Sequence, residues 1–536
     1  MKRDLKKLES SRYDLLIIGG GITGAFAAWD ATLRGLKVAL VEKGDFGAAT
    51  SSASGKIIHG GIRYMQYGAL NRVRESLHER MIFQRIAPQF VSPIPFLIPT
   101  YGHFLRGKEL LRVGMAVYDL LGLDKRNSTD PAKIIPPHRI LSRKETLQME
   151  PGVRTNGLTG GVIYYDCQMH NPERLTLSVL MAADEAGADL ANYLQAYHFC
   201  CRDQKIAAVK VKDLLTNEKF EIKADFIINA AGPWAGLLLD SIKNCNIGLR
   251  YRYSKGIHII TRPITKNCAI AVSSRQQNSN SIMHRGGRHF FIIPWRNNSL
   301  IGTTNVAFDS SPDEKMVTED DIQHLIDIIN DGYPSASLKR EDVIYQYGGL
   351  YIDDTDRDVK DGYQGARRSQ IIDHSSNDGL YGLITAISVK YTSARKVAQK
   401  TIDLVYRKLG YKPPKCLTEK TSVYGGNISD IIDFISGESK KNTDILEEEI
   451  TKDLVYSYGS KYSELLGYTN EITDCLNKVH EKIPLIKAQI VHAVRQEMAQ
   501  KLTDVVFRRS TLGTVGDPGN EALDLCATNP PKGRQH

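Results

Sequence analysis

Glycines and one carboxylate near the start of the chain have the types and spacing needed to hold a dinucleotide. The motif runs from Gly19 to Gly24 (GGGITG), and Glu42 follows it. Gly19 permits a tight turn, Gly21 lets the backbone approach a pyrophosphate, and Gly24 lets a helix pack closely against a strand. The N-terminus of that helix presents free N–H groups to the phosphates, and Glu42 is placed to hydrogen-bond a ribose hydroxyl. The spacing predicts a nucleotide site, although NAD and FAD both use such a unit.

The motif needs a strand before it, a helix after it and a second strand that ends at the acid. The apolar run Tyr13–Ile18 (YDLLII) is typical of a buried parallel strand. Residues 22–35 predict a helix, and Leu36–Val41 predicts the second strand. The pattern therefore indicates a β-α-β unit over residues 13–42; the alternative is a glycine-rich turn in an unrelated α/β protein.

A polar segment after this unit is dense in hydroxyl residues and glycines. It runs from Thr50 to Tyr64 (TSSASGKIIHGGIRY). Such a loop can supply backbone N–H and hydroxyl donors to a large cofactor with several phosphate oxygens. Its composition alone would suit any polar loop, but its position after the β-α-β unit favours FAD over NAD.

Length and composition restrict the class of protein. A chain of 536 residues predicts two or three domains, and 42% hydrophobic and 24% charged residues are ordinary for a soluble globular protein. No apolar stretch reaches about 18 residues, and the basic N-terminus lacks the apolar core of a signal peptide, so we expect a cytoplasmic protein. The eight cysteines form no CxxC pair and no His/Cys cluster, so we expect reduced thiols and no metal site.

The formal net charge is +9. Such a charge suits an anionic substrate or an anionic membrane surface. Nucleic acid is disfavoured, because the basic residues are spread along the chain without a recognised binding module.

The rest of the chain alternates between strand and helix patterns. Strands are predicted at 160–165, 205–230 and 250–305, and helices at 172–187, 320–331 and 391–409. Residues 411–415 (YKPPK) are typical of a linker. Helical patterns dominate beyond it, at 445–465 and 485–509, and the last 20 residues predict a loose tail.

A series of motifs, in order along the chain, resembles the FAD-dependent glycerol-3-phosphate dehydrogenases, of the D-amino-acid-oxidase-like flavoprotein superfamily. The GGGITG turn is followed by TSS…S.K.IHGG.RY at the family's distance. The further matches are Asn229–Ala235 (NAAGPWA), Ser254–His258 (SKGIH), Ile293–Trp295 (IPW), Gly302–Thr304 (GTT), Ala493–Ala499 (AVRQEMA) and the pair Arg508-Arg509. The resemblance covers the chain from about residue 12 to residue 515.

The fold that this resemblance implies is α/β with an α+β substrate domain. A Rossmann-type FAD-binding domain is expected to be interleaved with a β-sheet substrate domain and followed by a C-terminal helical domain. The expected division is 1–80, 160–240 and 345–410 for FAD binding, 81–159 and 241–344 for substrate, and 411–536 for the helical domain.

The implied reaction oxidises the secondary alcohol of sn-glycerol 3-phosphate to dihydroxyacetone phosphate, with hydride transfer to flavin N5. Arg63 and Tyr64 match the family's substrate-contacting pair, and both are expected at the catalytic centre. His258 matches a histidine near the reacting carbon and is the best candidate for the general base; the alternative is that it only orders the pocket. Arg367 matches a phosphate-binding arginine of the family; the alternative match is Arg368, one position further on.

The segment Lys390–Thr392 matches the place where chain and flavin meet, and both end residues are expected to contact substrate. The expected substrate residues are Arg63, Tyr64, His258, Arg367, Lys390 and Thr392. The expected cofactor residues are Gly19, Gly21, Gly24, Glu42, Thr50, Ser51, Ser52, Lys56, His59, Gly60, Gly232 and Lys390.

The chain departs from the family pattern in two places. Where the family shows GLRPL.DD, this chain has Gly349–Asp354 (GLYIDD), so the phosphate-binding arginine is absent. The family's GGK becomes Ser388-Val389-Lys390. The loss of a charge-assisted hydrogen bond to phosphate costs about 1.5–3 kcal/mol.

These departures leave three functions open. The first is glycerol-3-phosphate oxidation. The second is oxidation of a related polyol phosphate, a larger glycerol-phosphate metabolite, or a hydroxy or amino acid. The third is a flavin-binding protein without turnover. No inserted segment like that of the family's oxidases is seen, which favours a quinone over oxygen as electron acceptor, and hence a peripheral position on the inner face of the cell membrane.

Overall fold

The buried apolar runs of the sequence form strands, and most of these strands belong to two large sheets. A computed structural model describes residues 1–102, 107–123, 130–242, 251–265, 267–273, 289–314, 316–353 and 369–528. The strands of this part of the chain are β1 (Arg12–Ile18), β2 (Val38–Val41), β3 (Ile57–Ile58), β4 (Val91–Tyr101), β5 (Arg139–Ser142), β6 (Leu158–Met169), β7 (Asp189–Ala191), β8 (Leu194–Arg202), β9 (Lys205–Asp213), β10 (Lys219–Asn229), β11 (Arg252–Thr261), β12 (Ala269–Ser273), β13 (His289–Trp295), β14 (Asn298–Gly302), β15 (Val306–Phe308), β16 (Val343–Asp353), β17 (Gln370–Asp373), β18 (Leu383–Ile387), β19 (Lys478–His480) and β20 (Ile483–Ile486).

The helices cover the sheets and build the C-terminal region. Those of the described chain are α1 (Leu5–Ser10), α2 (Ile22–Leu33), α3 (Leu70–Ile86), α4 (Lys108–Leu121), α5 (Arg143–Met149), α6 (Pro172–Glu185), α7 (Ala235–Leu239), α8 (Glu319–Gly332), α9 (His374–Asn377), α10 (Ala394–Lys408), α11 (Ile431–Lys441), α12 (Glu448–Tyr458), α13 (Ser463–Leu466), α14 (Lys487–Arg495), α15 (Leu502–Asp504) and α16 (Gly519–Thr528). Among the residues described, no helix is long and apolar enough to cross a bilayer.

The first sheet is the nucleotide-binding layer. Its main path runs β17-β18-β10-β1-β2-β7, and β8 and β9 extend it beside β10. From β18 to β7 all neighbours are parallel. The strand-helix-strand unit predicted over residues 13–42 is therefore confirmed as β1, α2 and β2. Helices α2, α6 and α10 pack together against this sheet and cover its apolar side chains.

The second sheet forms the other large layer. Its main path is β15-β11-β14-β13-β12-β4-β6-β3, with β16 beside β11 and β5 beside β6. Strand β6 pairs with β4 along nearly its whole length, and β16 pairs with β11. The sequence-based division assigned these two strands to the nucleotide-binding part, whereas their backbone hydrogen bonds belong to the second sheet. The remaining boundaries stay predictions.

The C-terminal region is helical, as predicted, but its helices are shorter than the sequence pattern suggests. The pattern over 445–465 is interrupted at Gly459, whose φ of +59° ends α12. The pattern over 485–509 gives only α14 before the chain turns. The predicted loose tail is wrong over Gly519–Thr528, which forms α16, because Ala522 and Cys526 lie four residues apart and bury one face of that helix.

Candidate active site

A cavity of about 2090 Å³ lies where the two sheets face each other. The carboxyl ends of β1, β2, β10 and β18 contribute one wall, and residues of β11, β13, β14 and β16 contribute the other. Parallel α/β sheets bind ligands outside the carboxyl ends of their strands. The volume is about twice that of a large small-molecule pocket, so a dinucleotide and a small substrate fit together.

Two glycines of the turn are required by backbone packing. Gly19 has a φ of +114°, and a Cβ there would lie 2.5 Å from the carbonyl oxygen of Ala230. A Cβ on Gly24 would lie 1.9 Å from the carbonyl oxygen of Gly19. Gly19 and Gly21 lie on the cavity wall, whereas Gly24 does not. Gly24 therefore acts by letting α2 approach β1, as the spacing predicts.

Glu42 is held at the end of β2 by two backbone amides. The N–H of Gly20 donates to Oε2 at 2.6 Å, and the N–H of Gly44 donates to Oε1 at 2.7 Å. Burial raises the pKa of Glu42, and these two hydrogen bonds oppose the rise. The carboxylate lies on the cavity wall with acceptor capacity left for hydroxyl donors.

The hydroxyl residues of the polar segment divide into two groups. Thr50 and Ser51 lie on the cavity wall. Thr50 Oγ1 donates to the carbonyl oxygen of Leu350 at 2.7 Å, and the N–H of Ile22 donates to Ser51 Oγ at 2.9 Å. The hydroxyl of Ser52 instead donates to carbonyl oxygens of its own loop. Thr50 thereby links the nucleotide loop to β16 of the second sheet.

Lys56 and Gly60 lie behind the wall rather than on it. Lys56 is buried, and its Nζ donates to Glu173 Oε1 at 3.2 Å. The N–H of Gly60 donates to Asp166 Oδ1 at 2.8 Å, and a Cβ on Gly60 would lie 2.0 Å from the hydroxyl oxygen of Tyr118. Both are expected to contact the cofactor, and this stays a prediction, because neither is among the residues that line the cavity although their neighbours in the chain are. His59 and Gly232 do line the cavity.

His258 lies on β11 with its ring stacked on Tyr347 of β16, at 5.0 Å between centroids and an angle of 15°. Gly302 makes room for the ring, because a Cβ there would lie 2.3 Å from His258 Cδ2. Within the described chain, Nδ1 has no hydrogen-bond partner. Burial lowers the pKa of His258 to about 3, and the positive charge of Lys56 adds to the effect. The imidazole is therefore neutral near pH 7.

Lys390 and Tyr64 meet at another part of the same wall. Lys390 Nζ lies 4.0 Å from the centroid of the Tyr64 ring and donates to Ser76 Oγ at 3.2 Å. Thr392 is also on the wall, and its buried Oγ1 has no hydrogen-bond partner among the described residues. Arg63 lies in the 3₁₀ helix Ile62–Tyr67, and Arg367 lies outside the described residues. The structure thus brings Tyr64, His258, Lys390 and Thr392 to one cavity.

The two departures from the family pattern also lie on the wall. The hydroxyl of Tyr351 donates to Asn305 Oδ1 at 2.5 Å. Ser388 Oγ donates to the carbonyl oxygen of Lys390 at 2.9 Å, and Val389 lies beside it on the wall. Side chains therefore occupy the wall where the family pattern has an arginine and two glycines.

One group of wall residues was missed by the sequence analysis. Asp313 Oδ1 accepts hydrogen bonds from Lys43 Nζ at 2.7 Å and from Trp234 Nε1 at 2.8 Å. Lys43 Nζ also lies 4.0 Å from the centroid of the indole ring. Lys43 and Trp234 flank motifs that the sequence shows, but nothing in the sequence singles out Asp313. The three residues contact one another on the cavity wall next to Glu42, which we call the nucleotide end of the cavity.

Comparison with known proteins places the chain in a family. Residues 14–386 match the model described as FAD dependent oxidoreductase, and residues 416–529 match the C-terminal domain of alpha-glycerophosphate oxidase. The chain belongs to the FAD-dependent oxidoreductase family. Its cofactor is FAD, and the resemblance to glycerol-3-phosphate dehydrogenases seen in the sequence is confirmed.

The relatives of this oxidoreductase match over nearly its whole length. It is 34% identical to the glycerol-3-phosphate dehydrogenase of Synechocystis sp., over 98% of this chain and 94% of the relative. It is 33% identical to the aerobic glycerol-3-phosphate dehydrogenase of Staphylococcus aureus, over 94% of this chain and 88% of the relative. The crystal structure of the glycerol-3-phosphate dehydrogenase of Bacillus halodurans, complexed with FAD, has a TM-score of 0.73 and 27% identity, over 94% of this chain and 87% of that chain.

The wall of this oxidoreductase fits FAD. Each oxygen of Glu42 accepts one backbone N–H and keeps capacity for a ribose hydroxyl. Gly21 keeps the wall bare at the start of α2, where a Cβ would lie 3.0 Å from Ser51 Oγ. The buried hydroxyl of Thr392 has no hydrogen-bond partner among the described residues. Because buried polar atoms are nearly always hydrogen-bonded, we expect this hydroxyl to bond to a group that occupies the cavity.

Proposed function

We propose that this protein oxidises sn-glycerol 3-phosphate to dihydroxyacetone phosphate and passes the electrons to a quinone. The observation that carries the proposal is that a neutral, buried histidine and a lysine share the cavity that begins at the glycine turn, and that no carboxylate in the described part of the chain pairs with the lysine. His258 is the histidine and Lys390 is the lysine. The relatives named glycerol-3-phosphate dehydrogenases support the choice of substrate.

The cofactor is held, in this proposal, by the turn, the ribose acid and the polar segment. The residues that would contact it are Gly19, Gly21, Glu42, Thr50, Ser51, His59, Gly232 and Lys390. When bound, FAD supplies at flavin N5 the acceptor for the hydride that leaves carbon 2. Lys43, Trp234 and Asp313 close the nucleotide end around it.

His258 takes the hydroxyl proton of the substrate in this mechanism. The C2–H bond breaks with its electron pair leaving as hydride, the O–H bond gives its proton to the imidazole, and a C=O bond forms. The imidazole is neutral, and its Nδ1 has no hydrogen-bond partner among the described residues, so a ring nitrogen is available to the substrate hydroxyl. Tyr347 stacks on the ring and holds its plane, because the hydroxyl of Tyr347 is fixed by donation to the carbonyl oxygen of Ser54 at 2.8 Å.

Lys390 and Tyr64 bind the substrate beside the flavin. The ammonium group of Lys390 offers donors to phosphate, and hydrogen bonds between charged partners are about twice as strong as neutral ones. Tyr351 in place of an arginine favours a second candidate, oxidation of a related polyol phosphate whose anionic end lies elsewhere. The two candidates share the histidine, the flavin and the hydride transfer.

The membrane is proposed as the place where the enzyme meets its quinone. Helix α4 turns an apolar stripe outward, with Val113 62% and Leu120 64% exposed. Arg112, on the same outward side, suits an anionic lipid leaflet. Val113→Glu and Leu120→Glu should each weaken sedimentation with phosphatidylglycerol vesicles, whereas Ile432→Glu on α11, also an exposed apolar position, should not. Equal sedimentation of all three variants would remove α4 from the proposal.

The substrate is tested with the FAD-loaded protein in the absence of oxygen. Bleaching of the yellow flavin on addition of glycerol 3-phosphate supports the first candidate. A protein that ignores glycerol 3-phosphate but is bleached by another polyol phosphate supports the second. A yellow protein that no alcohol reduces contradicts both.

A further inference from the structure

A second cation stands beside Lys390 on the cavity wall. Arg72 lies in the first turn of α3 and lines the cavity. Ser76, which accepts the hydrogen bond from Lys390 Nζ, follows Arg72 by one helical turn. Side chains four residues apart lie on the same face of a helix, with Cβ atoms about 5–6 Å apart. The geometry of α3 therefore puts the guanidinium group of Arg72 next to the ammonium group of Lys390.

Neither cation is neutralised by a carboxylate of the described chain. Arg72 forms no side-chain hydrogen bond or ion pair there, and the only polar partner of Lys390 Nζ is Ser76 Oγ. Glu75 is the nearest acid on α3, but it pairs with Lys400 at 3.5 Å. Burial lowers the pKa of Lys390 to about 8, Glu75 opposes this, and repulsion from Arg72 adds to it. Two positive charges that face one cavity and have no carboxylate partner among the described residues form a site for an anion.

A competing cation on the wall is too far from the base. Arg252 begins β11 and also lines the cavity. His258 lies six residues further along the same strand, and a strand rises about 3.3 Å per residue, so the two Cα atoms are roughly 20 Å apart. In glycerol 3-phosphate, three bonds of about 1.5 Å join the reacting carbon to phosphorus. A substrate at His258 therefore cannot place its phosphate at the start of β11.

We propose that Arg72 and Lys390 together bind the anionic end of the substrate, a phosphate monoester dianion, and that Arg72 supplies the positive charge absent at Tyr351. The inference deepens the proposed function and rests on it for the identity of the substrate. The anionic end then points toward the start of α3. Tyr351, whose hydroxyl is bonded to Asn305, takes no part in binding it.

The test measures the binding of inorganic phosphate to the FAD-loaded protein by titration calorimetry. Arg72→Gln should raise the dissociation constant about 10- to 100-fold, since a charge-assisted hydrogen bond is lost. Arg72→Lys should recover part of the affinity, because it keeps the charge but not the two-pronged geometry. The matched control is Arg74→Gln, the same substitution two residues along α3 at an exposed position off the cavity wall, and it should bind phosphate like the wild type.

Kinetics provides a second measurement. Arg72→Gln should raise KM for glycerol 3-phosphate with a much smaller change in kcat, because the lost contact is made to the anionic end and not to the reacting carbon. Wild-type affinity in Arg72→Gln, or loss of phosphate binding in Arg252→Gln instead, would overturn the assignment. If the wild type binds phosphate through Arg72 but glycerol 3-phosphate leaves the flavin oxidised, the site stands and the proposed substrate fails. If glycerol 3-phosphate reduces the flavin of Arg72→Gln with wild-type KM, the function stands and the site fails.

Discussion

The substitution Asp45→Asn is expected to loosen FAD without touching it. Asp45 follows Glu42 closely and is completely buried. Its carboxylate accepts hydrogen bonds from Arg509 Nη1 at 2.6 Å and Nη2 at 2.8 Å, from Arg508 Nε at 2.6 Å, and from Asn192 Nδ2 at 3.1 Å. These hydrogen bonds hold two arginines of the C-terminal domain against the loop that follows Glu42.

The size of the effect follows from the charges that remain. Removing one partner of a buried ion pair costs about 3–5 kcal/mol, because the other charge stays buried without compensation. Part of that compensation remains in the variant. Arg508 Nη2 still donates a hydrogen bond to Asp504 Oδ1 at 2.5 Å, and Arg509 Nη2 still donates one to the carbonyl oxygen of Glu497 at 2.8 Å. We therefore expect a loss near the lower end, about 3 kcal/mol of the free energy of unfolding.

Acid should remove the same stabilisation. Burial raises the pKa of Asp45, but attraction from Arg509 and Arg508 outweighs burial and holds the pKa below its usual value. A carboxyl whose folded pKa is depressed stabilises the protein above its unfolded pKa, about 3.9, and loses that contribution as the pH falls through the folded pKa. The difference between wild type and Asp45→Asn should therefore shrink below about pH 4.

The assay is urea denaturation of the FAD-loaded protein together with the rate of FAD release on dilution. The control is Glu471→Gln, which breaks the exposed pair of Arg495 Nη1 and Glu471 Oε2 at 2.7 Å and should cost less than about 1 kcal/mol. Asp45→Asn should release FAD faster than this control. A loss of stability equal to that of the control, or an unchanged rate of FAD release, would refute the reasoning.

Three further changes probe the site directly. His258→Ala should leave FAD bound but lower the rate of flavin reduction by roughly 10²–10⁴, and near wild-type rates in stopped-flow would exclude the base role. Gly24→Ala should yield protein without flavin absorbance, since its Cβ meets the carbonyl oxygen of Gly19, whereas Gly437→Ala, a helical glycine with open space around it, should bind FAD normally; yellow Gly24→Ala protein would contradict this. Because the folded pKa of His258 is about 3 and the unfolded value about 6.5, the folded state binds fewer protons between these values, so stability should fall with falling pH by up to about 1.4 kcal/mol per unit. His258→Asn should lessen, but not abolish, the fall of the melting temperature between pH 7 and pH 5, because burial also lowers the pKa of His170 to about 3. An equal fall in both proteins would count against the buried neutral ring.

The turn and its sheet could be predicted because their signals are local. The buried runs on either side of Gly19 fit only a central parallel strand and a close helix, and the structure has both. The position of Lys56 on a family motif could not reveal that its side chain turns inward to Glu173, since that partner is distant in sequence. The same holds for Asp313, whose two partners come from the other sheet's loops.

The helical pattern of the C-terminal region shows a second limit. Apolar periodicity over 445–465 continues past Gly459. The backbone of Gly459 nevertheless packs against Gly425, and a Cβ on Gly459 would lie 1.9 Å from the carbonyl oxygen of Gly425. Such a close approach depends on a tertiary contact that periodicity does not report. Motifs thus locate residues along the chain, whereas tertiary contacts decide which of them face the cavity.

The proposed base and the lysine of the proposed anion site come from different layers. His258 belongs to the second sheet, whereas Lys390 follows β18 of the nucleotide-binding sheet. A substrate bound to both must bridge the two layers, so its alignment depends on how firmly they are joined. Two of the joints are the hydrogen bond from Thr50 to Leu350 and the contacts of Lys43 with Asp313. A change at either joint should therefore lower the rate of flavin reduction, because the reacting geometry spans both layers.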